Sequence, residues 1–273
     1  MTSRYMLRGG IHGRERLRLI ARALGATTGN LFDRLGIDLG MRCLDVGCGG
    51  GDVALELARR VGPRGWVLGV DIDDAKLELA RQEASAAGLA NVEYRNADVL
   101  AGALDERFDV VYARFLLSHL ADPAGATRML VGAARPQGIV AVEDIDYRAS
   151  FASPESRAHD RYRDIYMGTA RARDGDPTIG PRLPSLLAAA GCVDVGVHIV
   201  QPAALDPAGA GADVKLAIPL TLENIADAAV AAGLIGPEEI AAHVDELHAF
   251  AARPETLLSL PRVVQVWARV PAR

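Results

Sequence analysis

Leu44-Asp45-Val46-Gly47-Cys48-Gly49-Gly50-Gly51-Asp52 is the stretch on which the fold turns. A short apolar strand, 43–46, runs into a glycine-dense turn, and a helix with Val53, Ala54, Leu57, Ala58 and Val61 on one face follows. Glycine at 47, 49, 50 and 51 permits positive φ and removes the Cβ atoms that would hold a ligand away from the backbone. The pattern is a strand-loop-helix cradle for a ligand.

Two ligands compete for such a turn: a dinucleotide, with its pyrophosphate on the helix N-terminus, and S-adenosylmethionine, which carries no phosphate. A dinucleotide fingerprint wants Gly-x-Gly-x-x-Gly. Counted from Gly47, the third glycine position falls on Asp52, an anion where an anion would sit. A cationic sulfonium with a methionine ammonium group suits a cradle holding Asp45 and Asp52. The stretch resembles motif I of the class I S-adenosylmethionine-dependent methyltransferases, written Glu/Asp-x-Gly-x-Gly-x-Gly and here Asp45-Val46-Gly47-Cys48-Gly49-Gly50-Gly51.

From residue 41 outward, strands and helices alternate, the signature of a parallel sheet with helices on both faces. The second strand, 66–71, ends in Asp71, 20 residues beyond Gly51, where a carboxylate accepts both hydrogen bonds from a ribose diol. That distance fits dinucleotide proteins equally. Asp73 or Asp74 caps the next helix, 75–87, which Gly88 ends. Strand three, 91–95, leads to Asn96-Ala97-Asp98-Val99, and strand four, 107–114, matches the family's Phe-Asp-x-Val pattern. The resemblance implies that Asp98 hydrogen-bonds the adenine amino group and that Val99 covers the ring. It also implies that Ile72 joins Asp71 in the cofactor set, and that Arg114 closes the site. Asp45, Asp71, Asp98 and Arg114 at four successive strand ends are far more specific together than any one alone. A helix over 123–134 and the turn Arg135-Pro136-Gln137-Gly138, in which Gln137 stands where the family writes glycine, lead to strand five, 139–143. The implied architecture is a seven-stranded, doubly wound Rossmann-like α/β sheet of order 3-2-1-4-5-7-6, its last strand antiparallel.

The rest of the chain reads as a helical lid built from the N-terminus and two insertions. Residues 1–40 form a cap with helices over 14–24, ended by Gly25, and 31–35. Ahead of them, the arm 5–10 is either an exposed tail or, by resemblance, a cover that brings Tyr5 to the cofactor. The cofactor-binding core spans 41–148. An insertion over 149–180 carries a helix at 154–173, and the core resumes over 181–201 with a helix at 183–190 and a strand at 192–200. A second insertion, 202–260, carries helices at 222–232 and 237–252, before the last core strand within 261–273.

At 273 residues, half of them hydrophobic, with a formal net charge of −5, the composition is that of an ordinary soluble protein and argues against a nucleic-acid backbone as partner. Three cysteines, Cys43, Cys48 and Cys192, have no metal-type spacing and fit a reducing cytoplasm. No run approaches the roughly 18 apolar residues of a membrane span, and no leader or anchor is expected. The sequence leaves monomer and homodimer open.

The chemistry implied by the resemblance is methyl transfer from S-adenosyl-L-methionine to a small-molecule acceptor. Oxygen or carbon is preferred, because the family's Asn-Pro-Pro-Tyr-type motif is absent after strand four. His119, just past strand four, is the candidate general base, since a pKa near neutrality suits proton removal. After strand five, Glu143 is a second catalytic candidate and Tyr147 a substrate-binding one. Glu143, Asp144 and Asp146, with His159 and Asp160 downstream, match no defined metal loop, and no metal is assigned. His243 and His248, five apart, read as surface positions. Two alternatives stand beside the enzyme: a module that binds the cofactor without transferring methyl, and an NAD-dependent oxidoreductase, disfavoured by Asp52.

Overall fold

The computed structural model describes residues 10–98, 102 and 104–272. A long helix α1 (Gly10–Leu35) precedes the alternating series β1 (Arg42–Val46), α2 (Asp52–Val61), β2 (Trp66–Asp71), α3 (Asp74–Ala86), β3 (Val92–Asn96), β4 (Phe108–Arg114), α4 (Pro123–Ala133) and β5 (Ala134–Asp146). Then come β6 (Ala152–Ser153), α5 (Arg157–Arg171), α6 (Leu183–Ala189), β7 (Val193–Val200) and β8 (Ala203–Ala204). The chain closes with α7 (Ala212–Ala231), α8 (Glu239–Ala252), β9 (Leu257–Ser259) and β10 (Arg262–Arg269).

The seven-stranded sheet has the order β3-β2-β1-β4-β5-β10-β7, and β10 runs antiparallel to both neighbours. This is the order implied by the resemblance. Successive β1 side chains point to opposite faces: Cys43 packs with α2, α3 and the end of α1, while Leu44 packs with α4 and α6. Strand order reverses between β1 and β4, so the crevice outside their carboxyl ends is the natural ligand position. A third apolar cluster joins α5, α7 and α8 to Ile145 and Tyr147, and a fourth joins Leu19 of α1 to Val214 and Ala217 of α7.

Several elements depart from the sequence pattern. One continuous α1 replaces the two predicted helices, because Leu24, Thr28, Leu31 and Leu35 form a buried stripe that runs through Gly25 and Gly29. Burial there outweighs the roughly 1 kcal/mol that a helical glycine costs. Helix α7 begins ten residues earlier than predicted and holds Pro219 in its interior, where Val214, Ile218, Leu222 and Ile225 are buried. Helix α8 starts at Glu239, so Pro237 precedes it. The small sheet β6-β9-β8 has strands of two or three residues, too short to carry a period. Gln137 takes the left-handed φ of 64° that the family's glycine would supply, and its amide donates to Val270 O at 2.9 Å.

Candidate functional site

The glycine loop is held in shape by strand β2. The amides of Gly47 and Cys48 both donate to Val70 O, at 2.8 and 3.0 Å. The Asp71 carboxylate accepts from Gly49 N at 2.9 Å and from Asp73 N at 3.0 Å. Gly51 has φ 82°, and a Cβ there would lie 2.5 Å from the Tyr94 hydroxyl, so the loop-to-helix corner requires glycine. Asp73 caps α3 through the amides of Ala75 and Lys76.

Asp45, at the end of β1, is buried with Oδ2 unpartnered among the described residues. Burial pushes its pKa up to about 7; the Arg114 charge opposes the shift, and Asp71 adds to it. Arg114 itself donates to Thr28 Oγ1 at 3.1 Å.

A cavity of about 810 Å³ opens over these strand ends. Its β2–β3 side is lined by Asp71, Ile72 and Asp98, its floor by Asp45, Gly47 and Gly49, and its β4–β5 side by Arg114, His119 and Tyr147. Nine of the sequence-predicted site residues are thus brought together. Tyr5 and Val99 lie outside the described residues.

Two readings are corrected. Glu143 does not line the cavity: its fully buried carboxylate accepts from the Tyr112 hydroxyl, from Thr28 Oγ1 at 3.1 Å and from Gln265 Nε2 at 2.7 Å. It lies two residues short of cavity-lining Ile145, beneath Thr28, and fastens α1 to the sheet instead of meeting a substrate. Asp52 does line the cavity, but its charge is met by Arg14, whose Nη2 donates to Oδ1 at 2.9 Å while its Nε donates to Glu83 at 2.9 Å. The charge of Asp52 is therefore no argument against a pyrophosphate.

His119 ends a short 3-10 turn, Leu117–His119, and burial with the nearby charges of Arg16 and Lys76 lowers its pKa to about 4. The imidazole is neutral at physiological pH. The carboxylates after β5 are dispersed: Asp144 accepts from Ser118 N at 3.0 Å, and Asp146 pairs with Arg148 at 2.8 Å. His159 bonds the Ser150 hydroxyl at 3.0 Å. Among the described residues, no three His, Cys, Asp or Glu side chains are grouped to hold a metal. His248 pairs with Glu223 at 3.2 Å, whereas His243 is half-buried, contrary to a surface position.

The far wall carries residues that the sequence pattern leaves unmarked. Tyr162 and Tyr166, one turn apart on α5, line the cavity with Tyr147; the Tyr147 and Tyr162 hydroxyls are 2.7 Å apart, and the Tyr147 and Tyr166 rings stack at 3.8 Å. The four-residue spacing of two tyrosines on an insertion helix is the signal that points to them. Arg16, Leu17, Ile20 and Leu24 of α1, with Ala217 and Thr221 of α7, also line the cavity.

Comparison with known proteins now adds a family. A family model described as a methyltransferase domain matches residues 37–176. A ubiquinone biosynthesis O-methyltransferase of Neisseria meningitidis serogroup C is 36% identical over 122 residues, 44% of this chain and 48% of that protein. A ubiquinone/menaquinone biosynthesis C-methyltransferase of Idiomarina loihiensis is 32% identical over 154 residues, 53% of this chain and 59% of that protein. The chain spans about half the length of the curated relatives it matches. The crystal structure of a putative methyltransferase from Bacillus halodurans shares the fold, with a TM-score of 0.60 at 19% identity over 89% of this chain and 98% of that one.

Proposed function

The chain belongs to the methyltransferase-domain family, and from that premise we propose that it transfers a methyl group from S-adenosyl-L-methionine to a small-molecule acceptor. The observation that carries this reading is the continuity of the cavity. One space of about 810 Å³ joins the glycine loop and the strand-end acids to a wall of tyrosines, room for a cofactor and a compact acceptor side by side.

The residues fit the cofactor. The unpartnered Asp45 Oδ2 offers a buried acceptor to an ammonium group, and Arg114 offers a cation to a carboxylate. Asp71 takes the ribose diol, and Asp98, with Ile72, takes the adenine. When bound, the cofactor supplies a methyl carbon already activated by sulfonium. The task left to the protein is alignment and exclusion of water, which the apolar side chains of α1 and the tyrosine wall serve. His119 faces this space as a neutral hydrogen-bonding group.

The relatives named above act on oxygen in one case and on carbon in the other, so either atom suits the acceptor. Three free cysteines, two of them buried, support a reducing cytoplasm. Among the described residues, no helix is long and apolar enough to cross a membrane.

Isothermal titration calorimetry with S-adenosylmethionine, S-adenosylhomocysteine and NAD tests the reading. Binding of both adenosyl ligands and not of NAD is expected, followed by incorporation of labelled methyl from the cofactor into a phenolic metabolite pool. NAD binding alone overturns the reading, and cofactor binding without any transfer turns it into that of a binding module.

A further inference from the structure

Helix α1 carries arginines at 14, 16, 18, 22 and 34; Arg34 lies over the Trp267 ring, and three of the other four meet carboxylates. Arg14 pairs with Asp52 and Glu83, Arg18 with Glu83 at 2.7 Å, and Arg22 with Asp213 at 2.6 Å. Arg16 differs. It lines the cavity, half-buried, and its Nε donates to Thr221 Oγ1 at 3.0 Å, but among the described residues no carboxylate lies within ion-pair distance of its guanidinium. The bond to Thr221 fixes one edge of the planar group and leaves the two terminal nitrogens for a forked acceptor. Thr221 is itself anchored, its hydroxyl donating to Ala217 O at 2.5 Å.

The position of this cation is also informative. Its charge is felt at His119, Tyr147 and Tyr162. The other charged groups that line the cavity beyond β4 are Asp122, Arg173 and Asp174, on the loops before α4 and after α5. A half-buried cation without a counter-ion, facing aromatic walls, costs solvation that an anionic ligand would offset.

Resting on the methyltransferase reading, we propose that the acceptor is an aromatic anion, a carboxylate or phenolate, whose charged end is held by Arg16 and whose ring packs on Tyr147, Tyr162 and Tyr166. A carboxylate arrives without a proton to lose, and a phenol gives its proton to water once the Arg16 charge has lowered its pKa. The transfer then needs no histidine of near-neutral pKa as general base, which agrees with the lowered pKa of His119.

The test uses 1-naphthoate and its uncharged counterpart 1-naphthamide as probes, titrated into the full chain with and without saturating S-adenosylhomocysteine. Naphthoate is expected to bind at least about tenfold more tightly than the amide, the ordinary strength of a charge-assisted bond. Arg16→Gln should erase that preference, and Arg16→Lys should restore part of it. S-adenosylhomocysteine affinity should be unchanged, and the melting temperature should hold within about 2 °C. Equal affinity for the two probes, or no naphthoate binding, overturns the inference. So does a parallel loss of S-adenosylhomocysteine affinity in Arg16→Gln, which would place Arg16 on the cofactor's carboxylate. A chain that prefers naphthoate yet binds no S-adenosylhomocysteine keeps the Arg16 inference and loses the cofactor reading, so the two failures are distinct.

Discussion

The two sides of the cavity are built in different ways. On the β1–β3 side, Asp45, the glycines and Asp71 lie on consecutive strand ends and loops, and the contacts that shape them, such as Gly49 N to Asp71, are local to the sheet. On the β4–β5 side the wall is gathered from distant places: α1, the end of β5, α5 and α7, with Arg16 reaching across 205 residues of sequence to Thr221. The first side presents backbone amides and carboxylates, groups suited to one ligand of fixed geometry. The second uses ring faces, aliphatic side chains and the Arg16 guanidinium. A fold can keep its cofactor and change its acceptor when the two are specified by separate sets of residues.

If that division is real, the largest effect belongs to the first side. Asp71→Asn retains an oxygen for the loop amides but removes the charge and one acceptor, and should weaken S-adenosylhomocysteine binding by about 100-fold, two charge-assisted bonds' worth. Asp71→Ala should abolish measurable binding while circular dichroism remains native. Calorimetry checks both, and unchanged affinity in either variant removes Asp71 from the ribose position.

The sides also titrate in opposite senses. Asp45 has its pKa raised from 3.8 to about 7, so between those values the native chain holds a proton that the unfolded chain has released. Stability then falls as pH rises through that window, by at most ~1.4 kcal/mol per pH unit. His119 has its pKa lowered from 6.5 to about 4, so the unfolded chain holds the extra proton between about 4 and 6.5, and stability rises with pH there. Urea unfolding of the parent and of Asp45→Asn at pH 4.5, 5.5, 6.5 and 7.5 separates these contributions. The variant should lose the falling component and show a steeper net rise in stability toward pH 6.5. Asp144, pushed up to about 6 by burial, contributes equally to both proteins and cancels in the difference. Identical pH profiles would mean that Asp45 is charged in the apo cavity.

The same division governs how much the sequence discloses. The strand–helix alternation and the acids Asp45 and Asp71 follow from apolar runs, glycine punctuation and strand-end position, all local signals, while the order of the sheet and the place of Asp98 are what the resemblance to the methyltransferases implies. The early start of α7 is hidden by Pro219, a residue that normally argues against a helix interior and here survives because its neighbours are buried. Glu143 looks catalytic in sequence because it ends an apolar strand. Its covering partners, Thr28 and Gln265, are 115 and 122 residues away, and nothing local announces them. Arg16 is hidden for the opposite reason: among the four arginines in the first half of α1, only the placement of Asp52, Glu83 and Asp213 reveals which one has no carboxylate beside it among the described residues.

The smallest effect is expected on the acceptor side, at the residue the sequence marks most strongly for catalysis. A general base is worth 10²- to 10⁴-fold when its pKa lies near the operating pH. His119, with its pKa lowered to about 4, is well below that range and holds a transferred proton weakly. With an anionic acceptor paired to Arg16, there is no proton for it to take. His119→Ala should therefore reduce the transfer rate by less than about tenfold, through lost packing and hydrogen bonding alone. The pH–rate profile should show no limb between pH 6 and 7 assignable to the imidazole, in the parent or in the variant. A loss of 100-fold or more, together with a limb near pH 6.5 that disappears in the variant, would make His119 the base and would mean that the acceptor enters the cavity protonated.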